Sequence, residues 1–231
     1  MPRGAPSLAA LSSRQALLLV VFDSSVSAGT DVQEMCVAVV LNRPTANVVQ
    51  FHTPDRPRRH ICFGGEAKLR SGVAGLEVDS NGLLWLHHKP GLGGAEVGSS
   101  GIYRVAGADA AALVKAEEAQ LRDFLVVAGV LAMPRQELLG RIAHDHLQPV
   151  PDGRSLYPQL WALADAPDGV QEPQEPELSD GTALWWAAAQ PQAADGDGLK
   201  MPPASQLADE TLAEWLKFFA GHKVGDDDGD E

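Results

Sequence analysis

Long hydrophobic runs and cysteines are both scarce in this sequence. The longest apolar stretch, residues 16–22, is far shorter than the ~20 residues that a membrane-spanning helix needs. We therefore expect a soluble protein with no membrane partner. The only two cysteines, Cys36 and Cys62, lack the spacing of a metal-binding motif. We interpret both as small core residues, and a disulfide between adjacent strands is the alternative.

Basic residues are scarce in the last part of the chain. Residues 165–231 carry 16 acidic residues against 3 lysines, whereas residues 1–164 carry 15 residues of each sign. Binding to nucleic acid or to an anionic membrane depends on cationic contacts to phosphate groups. The charge distribution therefore predicts a neutral body with an acidic tail that binds neither partner.

The chain is organised around one apolar run, residues 36–41, which is typical of a strand buried on both faces. Residues 42–44 (Asn-Arg-Pro) then bend the chain, because proline cannot donate a ladder hydrogen bond. A second apolar run, residues 61–63, ends in Gly-Gly-Glu at residues 64–66. We expect two neighbouring strands whose ends open at the same edge of a sheet.

Further strands are predicted where short apolar runs are bounded by turn residues. Residues 17–22, 83–87, 102–105 and 124–128 match this pattern, and the polar residues 23–33 predict a loop. We expect the first of these strands to pair with the central one.

The period of the hydrophobic pattern changes to that of an amphipathic helix at residues 108–121 and 134–143. The early strands follow one another without intervening helices. This order favours an α+β fold over a doubly wound sheet.

The charge and composition divide the chain into three parts: a short segment at residues 1–15, a globular body at 16–164, and an acidic, partly disordered extension at 165–231. Residues 1–15 contain arginine, serine and alanine but no acid, so an organellar transit peptide is an alternative to a cytoplasmic protein.

The extension contains one strong helix signal, at residues 209–221. Its large apolar side chains recur at helical spacing, at Leu212, Trp215, Leu216 and Phe219. A helix of this length is marginal alone in water, so its apolar face must dock. The chain's own body, with Trp185 and Trp186 as candidates, and a partner protein are the two alternatives.

An ordered series of short motifs resembles the AlgH/YqgE family. The motifs are Val-Leu-Asn-Arg-Pro at 40–44, Phe-Gly-Gly at 63–65, Gly-Ile-Tyr at 101–103 and Asp-Phe-Leu-Val-Val-Ala-Gly at 123–129, and the resemblance covers about residues 16–163. It implies a compact α+β fold with a small closed barrel flanked by helices, and a family without an established biochemical activity. Because the resemblance ends near residue 163, we expect that removing residues 170–231 leaves a folded body. Some members are labelled transcriptional regulators, and plant members are linked to plastids, so a plastid is an alternative location.

The chain departs from the family at several recognisable positions. The family's Gly-Gly-Pro is Gly-Gly-Glu at 64–66, its Tyr and Trp after the last motif are Val130 and Met133, and its Gln is Glu137. Two interpretations stay open: a divergent member with a changed function, or positions that are structural throughout the family.

A non-catalytic interaction or regulatory domain is the preferred function, with an unknown protein partner, no catalytic residue and no cofactor. Loops at strand ends often carry function, and glycine permits close backbone approach. We therefore expect the binding surface in a turn cluster formed by Asn42, Arg43, Pro44, Gly64, Gly65 and Glu66. The alternative is that these residues only end strands and relieve crowding.

Two other functions are weaker alternatives. A metal-dependent enzyme could use His144 and His146, which flank one aspartate near a helix end, although no His-Glu-x-x-His motif is present. A transcriptional regulator follows only from the family label. The helix at 134–143 offers Arg135 and Arg141 beside an acid, and the acidic tail would repel DNA.

Overall fold

The computed structural model describes residues 15–28, 31–51, 57–68, 78–144, 146–150, 152–166 and 178–193. These residues form a mixed α+β fold with two sheets and four α-helices, which confirms the predicted fold class. The strands are β1 (Leu18–Ala28), β2 (Asp31–Val40), β3 (Pro44–Gln50), β4 (Arg58–Phe63), β5 (Leu83–His87), β6 (Ala95–Glu96), β7 (Tyr103–Val105), β8 (Leu125–Ala128) and β9 (Leu131–Pro134). The helices are α1 (Gly107–Lys115), α2 (Arg135–Ala143), α3 (Tyr157–Ala162) and α4 (Leu178–Ala193).

The smaller sheet has the strand order β1-β2-β9, and both of its pairings are antiparallel. The predicted pairing of the first strand with the central strand is confirmed. The loop predicted at residues 23–33 is wrong over most of its length, because β1 continues to Ala28 and β2 begins at Asp31. Ladder hydrogen bonds join backbone groups, so a polar segment can continue a strand when its partner is in register.

The larger sheet has the order β3-β4-β8-β5-β7-β6. Strands β4 and β8 are parallel, and the other pairings are antiparallel. The predicted neighbours β2 and β4 therefore lie in different sheets, which corrects the expectation of one shared edge. Their ends still meet, because the Val40 N–H donates to the carbonyl of Gly64 at 2.9 Å. Among the described residues, neither sheet closes into a barrel, because the first and last strands of each order do not pair.

The larger sheet is buried on both faces, which explains its unbroken apolar runs. Successive side chains of β5 alternate between two clusters. Leu84 and Leu86 pack in a cluster with the smaller sheet, α3 and α4, whereas Leu83 and Trp85 pack in a second cluster with α1. One strand thus supplies both cores.

The two helices predicted in the body are confirmed, and one of them ends earlier than predicted. Helix α2 matches its prediction within one residue. Helix α1 ends at Lys115, before the predicted residue 121, because Glu117 adopts a left-handed conformation with φ of 60°. The Glu118 N–H then donates to the carbonyl of Leu113 at 3.0 Å, a pattern that closes a helix C-terminus.

Helix α4 is part of the core, although the sequence pattern places it in the acidic extension. Leu184, Ala188 and Ala189 are buried, and the first two pack in the same cluster as the central strands. The alanine-rich segment has a weak helical period, so local sequence does not reveal this packing. The helix predicted at residues 209–221 lies outside the described residues.

No helix in the described part of the chain is long and apolar enough to cross a membrane. The location in the cytoplasm or in a plastid stays a prediction.

Candidate functional site

The residues of the predicted turn cluster come together where the two sheets meet. The Phe63 N–H donates to the carbonyl of Arg43 at 2.7 Å, and Pro44 pairs in register with Cys62. The turn after β2 and the double glycine after β4 therefore lie side by side, as the sequence predicts.

Most of this cluster lies inside the protein. Asn42 is 0% exposed and Arg43 is 2% exposed. Pro44, Gly64 and Gly65 are buried as well, and within the cluster only Glu66 is exposed. The geometry is that of a structural junction, and the binding role predicted for these residues stays a prediction.

Asn42 joins three segments of the chain. Its amide nitrogen donates to the carbonyls of Gln15 at 3.1 Å and Gly181 at 2.7 Å, and its side-chain oxygen accepts from the Leu17 N–H at 2.8 Å. The guanidinium of Arg43 donates to the Gln15 carbonyl at 3.0 Å. The start of β1, the end of β2 and helix α4 are thereby held together.

The two glycines of the cluster permit close contact between backbones. A Cβ atom on Gly64 would overlap the carbonyl oxygen of Gly129, and one on Gly65 would overlap the carbonyl of Val130. The Gly64 N–H donates to the carbonyl of Ala128 at 2.7 Å. The backbone that approaches these glycines is therefore the protein's own β8–β9 turn.

We expect Gly181→Ala to destabilise the protein, although alanine normally favours a helix over glycine by about 1 kcal/mol. The added Cβ would overlap the carbonyl oxygen of Asn42 and crowd the Arg43 guanidinium. Such overlap costs roughly 1–3 kcal/mol, so the net free energy of unfolding should fall by about 1 kcal/mol or more. Urea denaturation measures this change.

Gly140→Ala in α2 is the matched control, because nothing lies within 4 Å of its Cβ position. It should raise the free energy of unfolding by about 0.5–1 kcal/mol. A stabilising effect at both positions would contradict the close packing of α4 on the Asn42 turn.

The two candidate metal ligands are surface residues at the end of α2. His144 and His146 are exposed, with ring centroids 6.2 Å apart. Nδ1 of His144 lies 2.7 Å from the carbonyl oxygen of Gly140, so this nitrogen carries hydrogen and donates. Among the residues that the structure describes, no group of three or more His, Cys, Asp or Glu side chains could hold a metal ion. A metal site that uses His144 and His146 stays a prediction, and the described residues supply no third ligand for it.

The adjacent histidines after Leu86 face different surroundings. His87 stacks on Tyr103, with ring centroids 5.4 Å apart, and His88 contacts the edge of Trp161 at 4.7 Å. Burial lowers the pKa of both imidazoles, so both are neutral at pH 7. They act as aromatic packing residues in this arrangement.

The two cysteines are free and buried, so the disulfide alternative is not formed. Burial raises the pKa of the Cys62 thiol to about 12, and burial together with Asp23 raises the pKa of Cys36. A thiolate is the reactive form of cysteine, and both sites disfavour it.

A groove along α2 is a site that sequence reasoning misses. It has a volume of about 1160 Å³ and lies between β1, α2, the residues after α2, α3 and α4. We call it the α2 groove. Its apolar lining includes Val20, Leu138, Ile142, Val150, Trp185 and Ala189.

Helix α2 presents its apolar side chains to this groove instead of to the core. None of the nine residues of α2, all of them described, is buried. Ile142 remains 38% exposed on the groove side, and Leu139, which does not line the groove, is 52% exposed. The i, i+4 pair Leu138 and Ile142 resembles a core-facing stripe in the sequence. Only the tertiary structure shows that these two side chains line a groove and are not buried in the core.

Polar contacts hold the walls of the groove. The Arg154 guanidinium donates to the carbonyls of Ser99 and Ser100 at 3.0 and 3.1 Å, and the Tyr157 hydroxyl donates to Ser100 at 2.6 Å. Helix α2 forms the other wall, and Arg135 at its start, which does not line the groove, pairs with Glu34 of β2 at 2.9 Å. The groove is therefore preformed by contacts between distant segments.

The lining of the groove favours an apolar ligand with acidic groups. Arg154 is the one arginine or lysine that the described residues contribute to the lining, which also holds two histidines and contains no Asp or Glu. A carboxylate that enters the groove would be attracted to Arg154.

The volume of the groove exceeds the range of about 300–1000 Å³ that is typical of small-molecule sites. Its length along a helix and its apolar lining suit a polypeptide segment.

No family model, curated protein or solved structure matches the chain, so the resemblance to the AlgH/YqgE family stays a prediction.

Proposed function

We propose that this protein is a non-catalytic interaction domain that binds an amphipathic helix of a partner protein in the α2 groove. One observation carries the proposal: α2 presents the half-buried Leu138 and the exposed Ile142 to a large apolar groove while burying none of its own residues. Exposed apolar surface of this extent is typical of a binding site. A helix with apolar residues at i, i+3, i+4 and i+7 is the ligand that such a groove fits.

The proposal includes the relation to the AlgH/YqgE family, with the lack of an established activity that the resemblance implies. Its support is the ordered set of motifs in the sequence. Residues 42–44 meet Gly64 and Gly65 in a buried junction between strand ends. A motif that maintains the fold is expected to lie in such a junction.

The test selects helical peptides from a displayed library on the full chain and measures their dissociation constants. We expect the selected peptides to carry the amphipathic pattern. Ile142→Glu should weaken binding at least tenfold, which is about 1.4 kcal/mol, because it places a carboxylate in the apolar groove. Fluorescence anisotropy with labelled peptides gives the constants.

Leu139→Glu is the control, since Leu139 lies on the same helix, is more exposed, and does not line the groove. Its effect on peptide affinity should be small. Both substitutions are at exposed positions, so melting curves should show folded variants. Equal affinity for both variants would reject the α2 groove as the binding site.

A further inference from the structure

We infer that the helix predicted at residues 209–221 is the resident ligand of the α2 groove in the absence of a partner. The inference rests on the helix-binding function proposed above and names its first occupant. The chain would then carry its own competitor, and a partner would have to displace it.

The predicted helix has the pattern that the groove requires. Four of its large apolar residues form one stripe, at Leu212, Trp215, Leu216 and Phe219. The groove presents a matching apolar wall from Leu138 and Ile142. An isolated helix of this length is marginal in water, so burying the stripe would supply the free energy that the helix lacks.

The connection in the chain favours this occupant over any other helix. Trp185 and Ala189 of α4 line the groove, and α4 ends at Ala193. Residues 194–208 join α4 to the predicted helix, and 15 residues would span about 20 Å on average as a random coil. Such a tether gives an effective concentration in the millimolar range.

The charge of the segment also suits the groove. The predicted helix carries Asp209, Glu210 and Glu214 against Lys217. Arg154 provides a positive charge in the described lining, and no carboxylate is present there to repel the segment. Attraction between the two is expected to weaken as salt is added.

The test places a photoreactive group in the groove of the full chain. Ile142→Cys is coupled to a benzophenone maleimide, and Cys36 and Cys62 are protected from labelling by burial. After illumination, mass spectrometry identifies the cross-linked peptides. We expect cross-links to residues 209–221 within one molecule, several times more abundant than those from Gln136→Cys, which is exposed on α2 outside the groove.

Two variants of the segment sharpen the test. Trp215→Gln combined with Leu216→Gln should reduce cross-linking from position 142 to the level of the Gln136→Cys control, because it removes the apolar stripe. Lys217→Gln, on the opposite face, should leave cross-linking unchanged. Cross-linking that is insensitive to the stripe would overturn the inference.

Other outcomes separate this inference from the proposed function. Cross-links that join two chains would identify a second copy as the occupant and reject docking within one chain. If position 142 does not reach residues 209–221 but library peptides still depend on Ile142, the inference fails and the proposed function stands. If peptide binding is also independent of Ile142, both fail.

Discussion

Removing residues 170–231 is expected to destabilise the protein by about 4 kcal/mol or more. The truncation deletes α4 and with it Leu184, which is 5% exposed, together with two buried alanines. Loss of a buried leucine alone costs roughly 2–5 kcal/mol. The amide of Asn42, at 0% exposure, would also lose the Gly181 carbonyl as a partner. Such a loss is a large share of the stability of a typical domain.

Thermal melting and urea denaturation measure this effect. A chain that ends at residue 199 is the control, because it keeps α4, and it should retain a cooperative transition. The family resemblance, which ends near residue 163, predicts instead that removing residues 170–231 leaves a folded body. A truncated chain that melts cooperatively at the temperature of the full chain would support that expectation and contradict the packing of α4 on the core.

Gly129→Ala is expected to lower the free energy of unfolding by about 3 kcal/mol. Gly129 has a φ of 77°, a left-handed conformation that costs other residues roughly 1–2 kcal/mol. In addition, a Cβ atom there would overlap the carbonyl oxygen of Gly65, which adds roughly 1–3 kcal/mol. Both costs fall on the junction between the double glycine and the β8–β9 turn.

Gly93→Ala carries only the first of these costs, that of the left-handed φ. The difference between the two variants therefore measures the cost of the overlap. Gly93 has nearly the same φ, 79°, but nothing lies within 4 Å of its Cβ position. This variant should therefore lose only about 1 kcal/mol. Urea denaturation of the two variants gives the difference. Equal losses would mean that the backbones at Gly65 and Gly129 are free to separate.

The position of the interaction site depends on burial, which the local sequence does not report. Glycines and an Asn-Arg-Pro turn at strand ends are compatible with a ligand site. In this fold the same residues contact Gly129, Gly181 and the start of β1. The α2 groove, in contrast, is formed by side chains whose pattern in the sequence is that of an ordinary amphipathic helix.

The sequence by itself determines the elements whose signal is local. Residues 36–41 and 83–86 are apolar without alternation, and the structure buries them on both sides of a sheet. Helix α2 follows from its 3.6-residue period and from the proline before it. The bend at residues 42–44 follows from the chemistry of proline.

Only the tertiary structure decides how these elements combine. The assignment of β2 and β4 to different sheets depends on which backbone ladders form, and hydrogen-bonding backbone groups are the same in every residue except proline. Helix α4 has a weak hydrophobic period, and its place in the core depends on Gly181 fitting against Asn42. Ile142 is exposed because no described segment covers α2, and burial is a property of the whole packed molecule.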